Sequence, residues 1–193
     1  MKKLLLAFVV LVGFSTIAKA QTTFGLKGGV SFANAKYTET GISETYKSIV
    51  TPNIGLTVDF KGGEKFDIES GLFFNGYGGK YSDAEFTSQI NLNYLSIPLL
   101  GKLKLGSGFS IYAGPQFSFL LSADSKEDGE TTSIKDQVKS SAFWAIVGLS
   151  FDATENFYLY GEYHAGLTNL EKESLNESKW NANAVSIGLG YKF

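Results

Sequence analysis

The chain contains one histidine, His164, and Glu162 precedes it at the spacing that puts both side chains on one face of a β-strand. A histidine oriented by a carboxylate can act as a general base, and Ser118 or Ser186 could complete a His–Glu–Ser arrangement. Neither serine lies in the Gly-x-Ser-x-Gly elbow that positions such a nucleophile. We therefore interpret His164 as a hydrogen-bonded residue and expect no enzymatic activity and no catalytic residue.

A second candidate for chemistry is the acidic segment DSKEDGETTSIK (124–135), which invites comparison with a calcium-binding loop. Lys126 and Lys135 stand where such a loop needs an acidic ligand and its bidentate glutamate. The chain also has no cysteine, which excludes thiolate metal sites and disulfides. We expect no metal site and no cofactor.

The charge composition argues against nucleic-acid binding. All 17 basic residues are lysines, and the formal net charge is −2. Without arginine the chain lacks the guanidinium fork that usually recognises phosphates and bases. The 22 glycines, three prolines and 15% aromatic residues are typical of an all-β protein.

The N-terminus has the layout of a secretory signal peptide. Lys2 and Lys3 precede an apolar run over 4–14, and Ala18-Lys19-Ala20 is a small-x-small cleavage site. The run is too short to cross a bilayer as a helix, although an uncleaved anchor remains an alternative. We expect Sec-dependent export, cleavage of residues 1–20 and one domain over 21–193.

The remaining chain alternates apolar and polar residues in eight segments. These are 24–34, 51–60, 66–76, 93–105, 109–121, 141–151, 157–167 and 182–193. Three connections are short, at 61–65, 106–108 and 152–156, and four are long and polar, at about 35–50, 77–92, 122–140 and 168–181. This layout predicts an all-β, eight-stranded antiparallel up-and-down transmembrane β-barrel of OmpA/OmpX-like architecture.

The two faces of these segments differ in charge. One face carries large apolar residues and no charged residue, which suits contact with lipid because an eight-stranded interior is only just wide enough for side chains. The opposite face carries a set that we expect to form a lumen ion network: Lys27, Asp59, Asp67, Glu69, Lys102, Lys104, Glu162, His164 and Lys192. A soluble, periplasmic lipocalin-like binding barrel, with the apolar face inward, is the alternative that alternation alone leaves open.

Phenylalanines cluster at one end of the eight segments, the end at which the short connections join them. The outward residues there include Phe24, Phe60, Phe66, Phe109, Phe151, Phe157 and Phe193. Such a ring of aromatic residues is typical of the girdle at a membrane interface. A second, looser set of aromatic residues lies eight residues away along several strands. After strand tilt this spacing corresponds to about 20 Å across the membrane, a distance that suits the thin outer membrane.

The segments NYLSIPLLGKLKLG (93–106), FSIYAGPQFSFLL (109–121) and FGLKGGVSFAN (24–34) resemble the PorT family of outer-membrane β-barrel proteins, found chiefly in the Bacteroidota. The resemblance covers residues 21–193, and the Tyr-Leu-x-Ile-Pro-Leu-Leu and Gly-Pro motifs are its most specific parts. It implies an eight-stranded barrel. The founding members are tied to protein secretion and gliding. The terminal Phe193 resembles the C-terminal signal that the outer-membrane assembly machinery reads.

Together these features predict a small barrel of the bacterial outer membrane with a plugged polar lumen and long external loops. We expect a structural or interaction role in the cell envelope, with outer-membrane lipid and the assembly machinery as partners and no nucleic acid. A PorT-like component of a secretion assembly and an outer-membrane lipid-modifying enzyme are the alternatives, beside the soluble barrel.

Overall fold

The structure is a computed structural model that describes residues 22–39, 42–82, 87–127, 129–172 and 178–193. The predicted signal peptide lies outside the described residues. In the part of the chain that is described, no helix is long and apolar enough to cross a membrane.

The fold consists of antiparallel strands with one 3-10 turn. The strands are β1 (Thr22–Glu39), β2 (Ile42–Thr45), β3 (Ile49–Lys61), β4 (Phe66–Ser82), β5 (Thr87–Gly106), β6 (Phe109–Glu127), β7 (Glu130–Ser133), β8 (Ser141–Asp152), β9 (Phe157–Gly166) and β10 (Lys179–Lys192), and the turn is Lys135–Gln137. Each long strand pairs with its neighbours in the chain. This confirms the all-β class that the sequence predicts.

The sheet closes on itself. β10 pairs with β1 along a register that runs from Gly25↔Lys192 to Thr38↔Lys179. The ring contains β1, β3, β4, β5, β6, β8, β9 and β10, while β2 and β7 add short pairings to β1 and β6 at one end. The predicted eight-stranded antiparallel barrel is therefore confirmed, and each strand of the ring is hydrogen-bonded on both sides.

The long connections are more ordered than the sequence suggests. β4 and β5 continue as a hairpin until Ser82 pairs with Thr87, inside the predicted loop 77–92. β1 likewise extends to Glu39 and β6 to Glu127. The prediction of long loops over 35–50, 77–92 and 122–140 is wrong to that extent, because backbone pairing continues where the polar composition no longer shows a lipid-facing alternation.

The apolar face points outward, as the sequence predicts. Leu56 is 59% exposed, and Phe32, Leu99 and Val147 are also exposed. We call this outward apolar band the lipid-facing belt. Glu69, on the opposite face, is 1% exposed. The soluble lipocalin-like alternative is wrong, because it requires the apolar residues inside and the charged residues on the surface.

This pattern reverses beyond the belt, at the end that carries the long connections. On β1, Ala33 and Ala35 face inward and are buried, while Lys36 is exposed. The inward residues there form an apolar core that includes Ala33, Ile49, Leu92, Ala123, Val138, Leu170 and Ala182. The barrel thus has a polar interior within the lipid-facing belt and an apolar interior in its external extension, as water-exposed sheets do.

Within the belt, the narrow lumen accommodates tyrosines by placing each opposite a glycine. Tyr112 pairs with Gly148, Tyr158 with Gly190 and Tyr160 with Gly188. A Cβ atom built on Gly190 would lie 1.9 Å from the Tyr158 ring, and one on Gly148 would lie 2.4 Å from the Tyr112 ring. The rings therefore lie over bare backbone, which leaves room for the charged groups between them.

This packing predicts that Gly190→Ala destabilises the barrel, because the new methyl group displaces the Tyr158 ring. We expect a loss of about 1–3 kcal/mol, as for other overpacked interiors. Gly161→Ala is the matched control, because a Cβ at Gly161 meets no atom within 4 Å. Urea denaturation of both variants in detergent measures the difference, and equal stabilities would contradict the packing argument.

Candidate functional site in the barrel lumen

A chain of alternating charges crosses the lumen inside the lipid-facing belt. The Lys102 ammonium lies 3.4 Å from Asp59 and 3.0 Å from Glu69. The Lys27 ammonium lies 3.2 Å from the other oxygen of Glu69 and also contacts Glu162. These five residues come from β3, β5, β4, β1 and β9, so the ion chain links strands from both sides of the ring.

Two further ion pairs lie at the short-turn end of the lumen. Lys104 is 2.7 Å from Asp67, and Lys192 is 2.6 Å from Asp152. Their lysine side chains are 35% and 24% exposed, so these lysines are more accessible to water than those of the central chain. Asp152 was missing from the predicted network because the sequence places it at the start of a turn, whereas β8 extends to include it.

The two central lysines also lie over aromatic rings. Lys27 is 4.6 Å from the ring centre of Tyr160 and 5.0 Å from that of Tyr112. Lys102 is 5.6 Å from the ring centre of Tyr158. Cation–π contacts of this kind stabilise an ammonium group that has lost its water. The tyrosines that pack over glycines therefore line the ion chain as well.

His164 ends the ion chain on the side of the long connections. Its Nε2 atom lies 3.2 Å from Glu162, and its Nδ1 atom lies 2.9 Å from the Tyr77 hydroxyl. Gln116 donates to that hydroxyl at 3.0 Å, so the hydroxyl has its own proton free to donate to Nδ1. When Tyr77 donates to Nδ1, the opposite ring nitrogen, Nε2, is placed to donate to Glu162.

This geometry differs from that of a hydrolytic triad. In a triad the carboxylate holds Nδ1 and the nucleophile approaches Nε2. Here Glu162 and Ser186, the latter at 3.3 Å, both contact Nε2, and Tyr77 occupies Nδ1. Ser118, the other candidate, instead donates to Ser96 and accepts from Gln116. His164 is 2% exposed, so substrate has no access to this arrangement.

An aromatic cluster covers the ion chain toward the long connections. The Tyr77 and Trp144 rings stack 4.5 Å apart at 10°, and Tyr94 packs edge-on against both. The Trp144 indole donates to the Ala182 carbonyl at 3.1 Å. All three rings are buried. Sequence reasoning missed this cluster, although the alternation of 93–105 and 141–151 places Tyr94 and Trp144 on the inward face.

Above the aromatic cluster two connections close the mouth of the barrel. The backbone of Lys139 donates to Leu170 at 2.8 Å, and that of Lys172 donates to Gln137 at 2.9 Å. Val138 and Leu170 thereby enter the apolar core. Below it, the cavity beside His164 and Lys27 holds about 10 Å³, roughly the space of one water molecule.

The predicted girdle residues lie together at the short-turn rim. Phe24, Phe66, Phe109, Phe157 and Phe193 are exposed, and Phe60 and Phe151 are partly buried. The Phe109 and Phe151 rings pack 4.7 Å apart. The backbone of Phe193 donates to the Phe24 carbonyl at 2.8 Å, so the last residue of the chain joins the first strand across the closing seam.

The remaining candidates for metal binding do not cluster. Among the described residues, no group of three histidine, aspartate or glutamate side chains could hold a metal ion. In the acidic segment 124–135, Lys126 stands where a calcium-binding loop needs an acidic ligand. Its side chain is exposed in the β6–β7 hairpin.

Comparison with known proteins gives a consistent picture of the fold. Residues 19–172 match the family model described as the outer membrane protein beta-barrel domain. The attachment invasion locus protein Ail of Yersinia pestis superposes with a TM-score of 0.52 at 15% identity, over 90% of this chain and 99% of Ail. Neisserial surface protein A gives the same TM-score, identity and coverage. No curated protein sequence matches significantly.

The central ion chain predicts that Lys27→Met strongly destabilises the barrel, because it leaves Glu69 and Glu162 buried beside one fewer cation. We expect a loss of about 3–5 kcal/mol in the free energy of unfolding. Lys192→Met, at the more exposed rim where its partner Asp152 is 38% exposed, serves as the control and should lose less than about 1 kcal/mol. Urea unfolding in detergent, followed by tryptophan fluorescence, compares the two, and a similar loss in both would contradict a central role for Lys27.

Proposed function

Because the chain belongs to the family of outer membrane protein beta-barrel domains, we propose that it is a non-conducting outer-membrane barrel with a structural or interaction role in the cell envelope. Its place in the bacterial outer membrane follows from the family and from the shared fold of Ail and Neisserial surface protein A. The observation that carries the proposal is the filled lumen, from the ion pairs of Lys102 and Lys27 to the Trp144 ring.

Three successive obstructions support the absence of conduction. The central ion chain occupies the lumen on the short-turn side, and its charged groups are satisfied by one another. The Tyr77–Trp144 stack covers it, and Val138 and Leu170 then close the mouth. A barrel of eight strands leaves little more than room for such side chains.

The external extension supports an interaction role. β1, β4, β5, β6 and β10 continue beyond the lipid-facing belt, where their interior is apolar and their outer surface is polar. Such an extension has its own core and can present a fixed surface to partners outside the cell. Binding residues are commonly carried on connections held by a rigid scaffold of this kind.

The lipid-modifying enzyme is less well supported than this role. A hydrolase or acyltransferase needs a nucleophile and a base that reach substrate at the outer rim. His164 lies beneath the Tyr77–Trp144 stack, and its Nε2 atom is shared between Glu162 and Ser186. Both features argue for a structural histidine.

Membership of the narrower PorT family, and with it a role in a secretion assembly, remains an alternative that rests on the motifs in 24–34, 93–106 and 109–121. Secretion genes beside the gene for this protein would favour it.

We also propose that the girdle contacts outer-membrane lipid and that the assembly machinery reads the C-terminal strand ending in Phe193, which lies at the seam with β1.

A filled lumen predicts that the purified mature protein gives no steady single-channel conductance in planar bilayers. The ion pairs and the aromatic stack occupy the lumen, and the cavity between them holds only about 10 Å³. A porin added afterwards to the same bilayers provides the control that they can report channels. A large, steady conductance from this protein alone would contradict the proposal of a non-conducting barrel.

Phe193→Ser should reduce the amount of folded protein in the outer membrane several-fold, because it removes both a girdle ring and the terminal aromatic. Phe66→Ser is the matched control, since Phe66 is an exposed girdle residue away from the C-terminus. Immunoblots of outer-membrane fractions compare both with the parent protein. Parent levels for Phe193→Ser would contradict the assembly proposal, and equal losses would assign the effect to the girdle alone.

A further inference from the structure

The external end of the barrel carries a cup of about 470 Å³, and no residue of the central ion chain lines it. This volume lies in the range of small-molecule sites in proteins. Its walls come from β1, β5 and β10 and from the connections that precede β3, β8 and β10. The cup therefore forms only where the external extension and the cover over the mouth meet.

Aromatic side chains line one part of the cup. Tyr37, Tyr46 and Trp180 contribute their rings, and all three are partly buried. The backbone of Trp180 donates to the Asn169 side chain at 2.9 Å and accepts from Leu170 at 2.8 Å, and the Trp180 side chain packs against the apolar core. These rings offer flat apolar faces with polar edges.

The base of the cup is apolar and belongs to the rigid part of the fold. Ile90 and Ile134 line it and pack against the buried core of the extension, as does Trp180. A ligand that reaches this base would contact a surface already held by packing, so binding would require little ordering of the protein.

Polar groups of both kinds stand around the rings. Asp136 and Glu171 provide carboxylate acceptors, Lys172 provides an ammonium donor and Gln137 provides both functions. The backbone bond from Lys172 to Gln137 brings the two polar segments together. Glu171 accepts from the Ser178 hydroxyl, which fixes one side of its carboxylate. Asp136 has no ion-pair partner among the described residues.

We propose that this cup binds a neutral hexose unit of a glycan. The C–H face of a sugar ring matches a flat aromatic face, while its hydroxyl groups can donate to Asp136 and accept from Lys172 at the same time. This inference rests on the proposed function only in that it assigns a ligand class to the external interaction surface.

The charges of the cup argue against other ligand classes. A phosphate, sulfate or acidic sugar would meet two carboxylates, Asp136 and Glu171, against one ammonium, and the chain has no arginine. An apolar ligand would desolvate both carboxylates without pairing them, which is unfavourable. A compact organic cation would pair with the two carboxylates, but the Lys172 ammonium would repel it, whereas a sugar hydroxyl can accept a hydrogen bond from that ammonium. A neutral polyhydroxylated ring pairs with all of these groups without a charge conflict.

The experiment titrates the mature protein in detergent micelles with cellobiose, maltose and lactose. The chain has two tryptophans, so Trp144→Phe leaves Trp180 in the cup as the only indole fluorophore. We expect a saturable change in its emission with at least one sugar. Because Trp144 is buried, calorimetric titration of the parent protein repeats the measurement without that substitution.

Two variants locate the binding. Trp180→Ala, measured by calorimetry, should weaken binding roughly tenfold through loss of the stacking face, and Asp136→Asn should weaken it through loss of an acceptor. Glu130→Gln is the matched control, an exposed acidic residue of the same external end on β7, and should bind like the parent. Equal affinity in all the variants would overturn the assignment to this cup.

The sugar can be free or part of a glycolipid, and vesicles distinguish the two sources. Binding in micelles without glycolipid supports a free oligosaccharide, whereas a change only with vesicles that carry a neutral glycolipid supports a membrane-tethered glycan. No heat and no emission change with either source would overturn the inference. Such a result would leave the non-conducting barrel intact, because the conductance measurement tests that part of the proposed function separately.

Discussion

Closure of the hydrogen-bonded ring is the constraint on which the rest of the structure depends. In lipid, each backbone N–H and C=O group must find a partner within the protein, and only a closed sheet satisfies this for strands. The pairing of β10 with β1 supplies the closure, from Gly25↔Lys192 outward. Eight strands fix a narrow interior, and the glycines opposite Tyr112, Tyr158 and Tyr160 follow from that width.

The narrow interior also explains how charged residues contribute to the fold. A shift of one residue in strand register would turn Lys27 and Glu69 toward lipid and the apolar belt toward the lumen. A lysine at the middle of the lipid face costs about 2–4 kcal/mol, and several strands would incur this together. The buried ion chain therefore specifies register as well as filling space. The ion chain thus contributes more to strand register than to net stability, because buried ion pairs usually stabilise a fold only weakly.

The sequence was sufficient for the barrel itself, because period-two alternation marks each of the eight strands and their lumen side. Lys27, Lys102 and Glu162 could be assigned to one face from parity alone. Their pairing could not, since it depends on which strands face each other across the ring. The hairpin over 77–92 was missed because the polarity of the faces reverses outside the lipid. The external cup was missed because its walls come from connections far apart in the chain.

The most direct test of this account compares the electrophoretic mobility of the mature protein in outer-membrane fractions before and after boiling in detergent. A closed barrel resists detergent until it is heated, so the account predicts that the unheated protein migrates at a different apparent mass from the boiled protein. Identical mobility, with the protein recovered from the soluble periplasm, would contradict the account. Such a result would mean that the apolar belt does not face lipid.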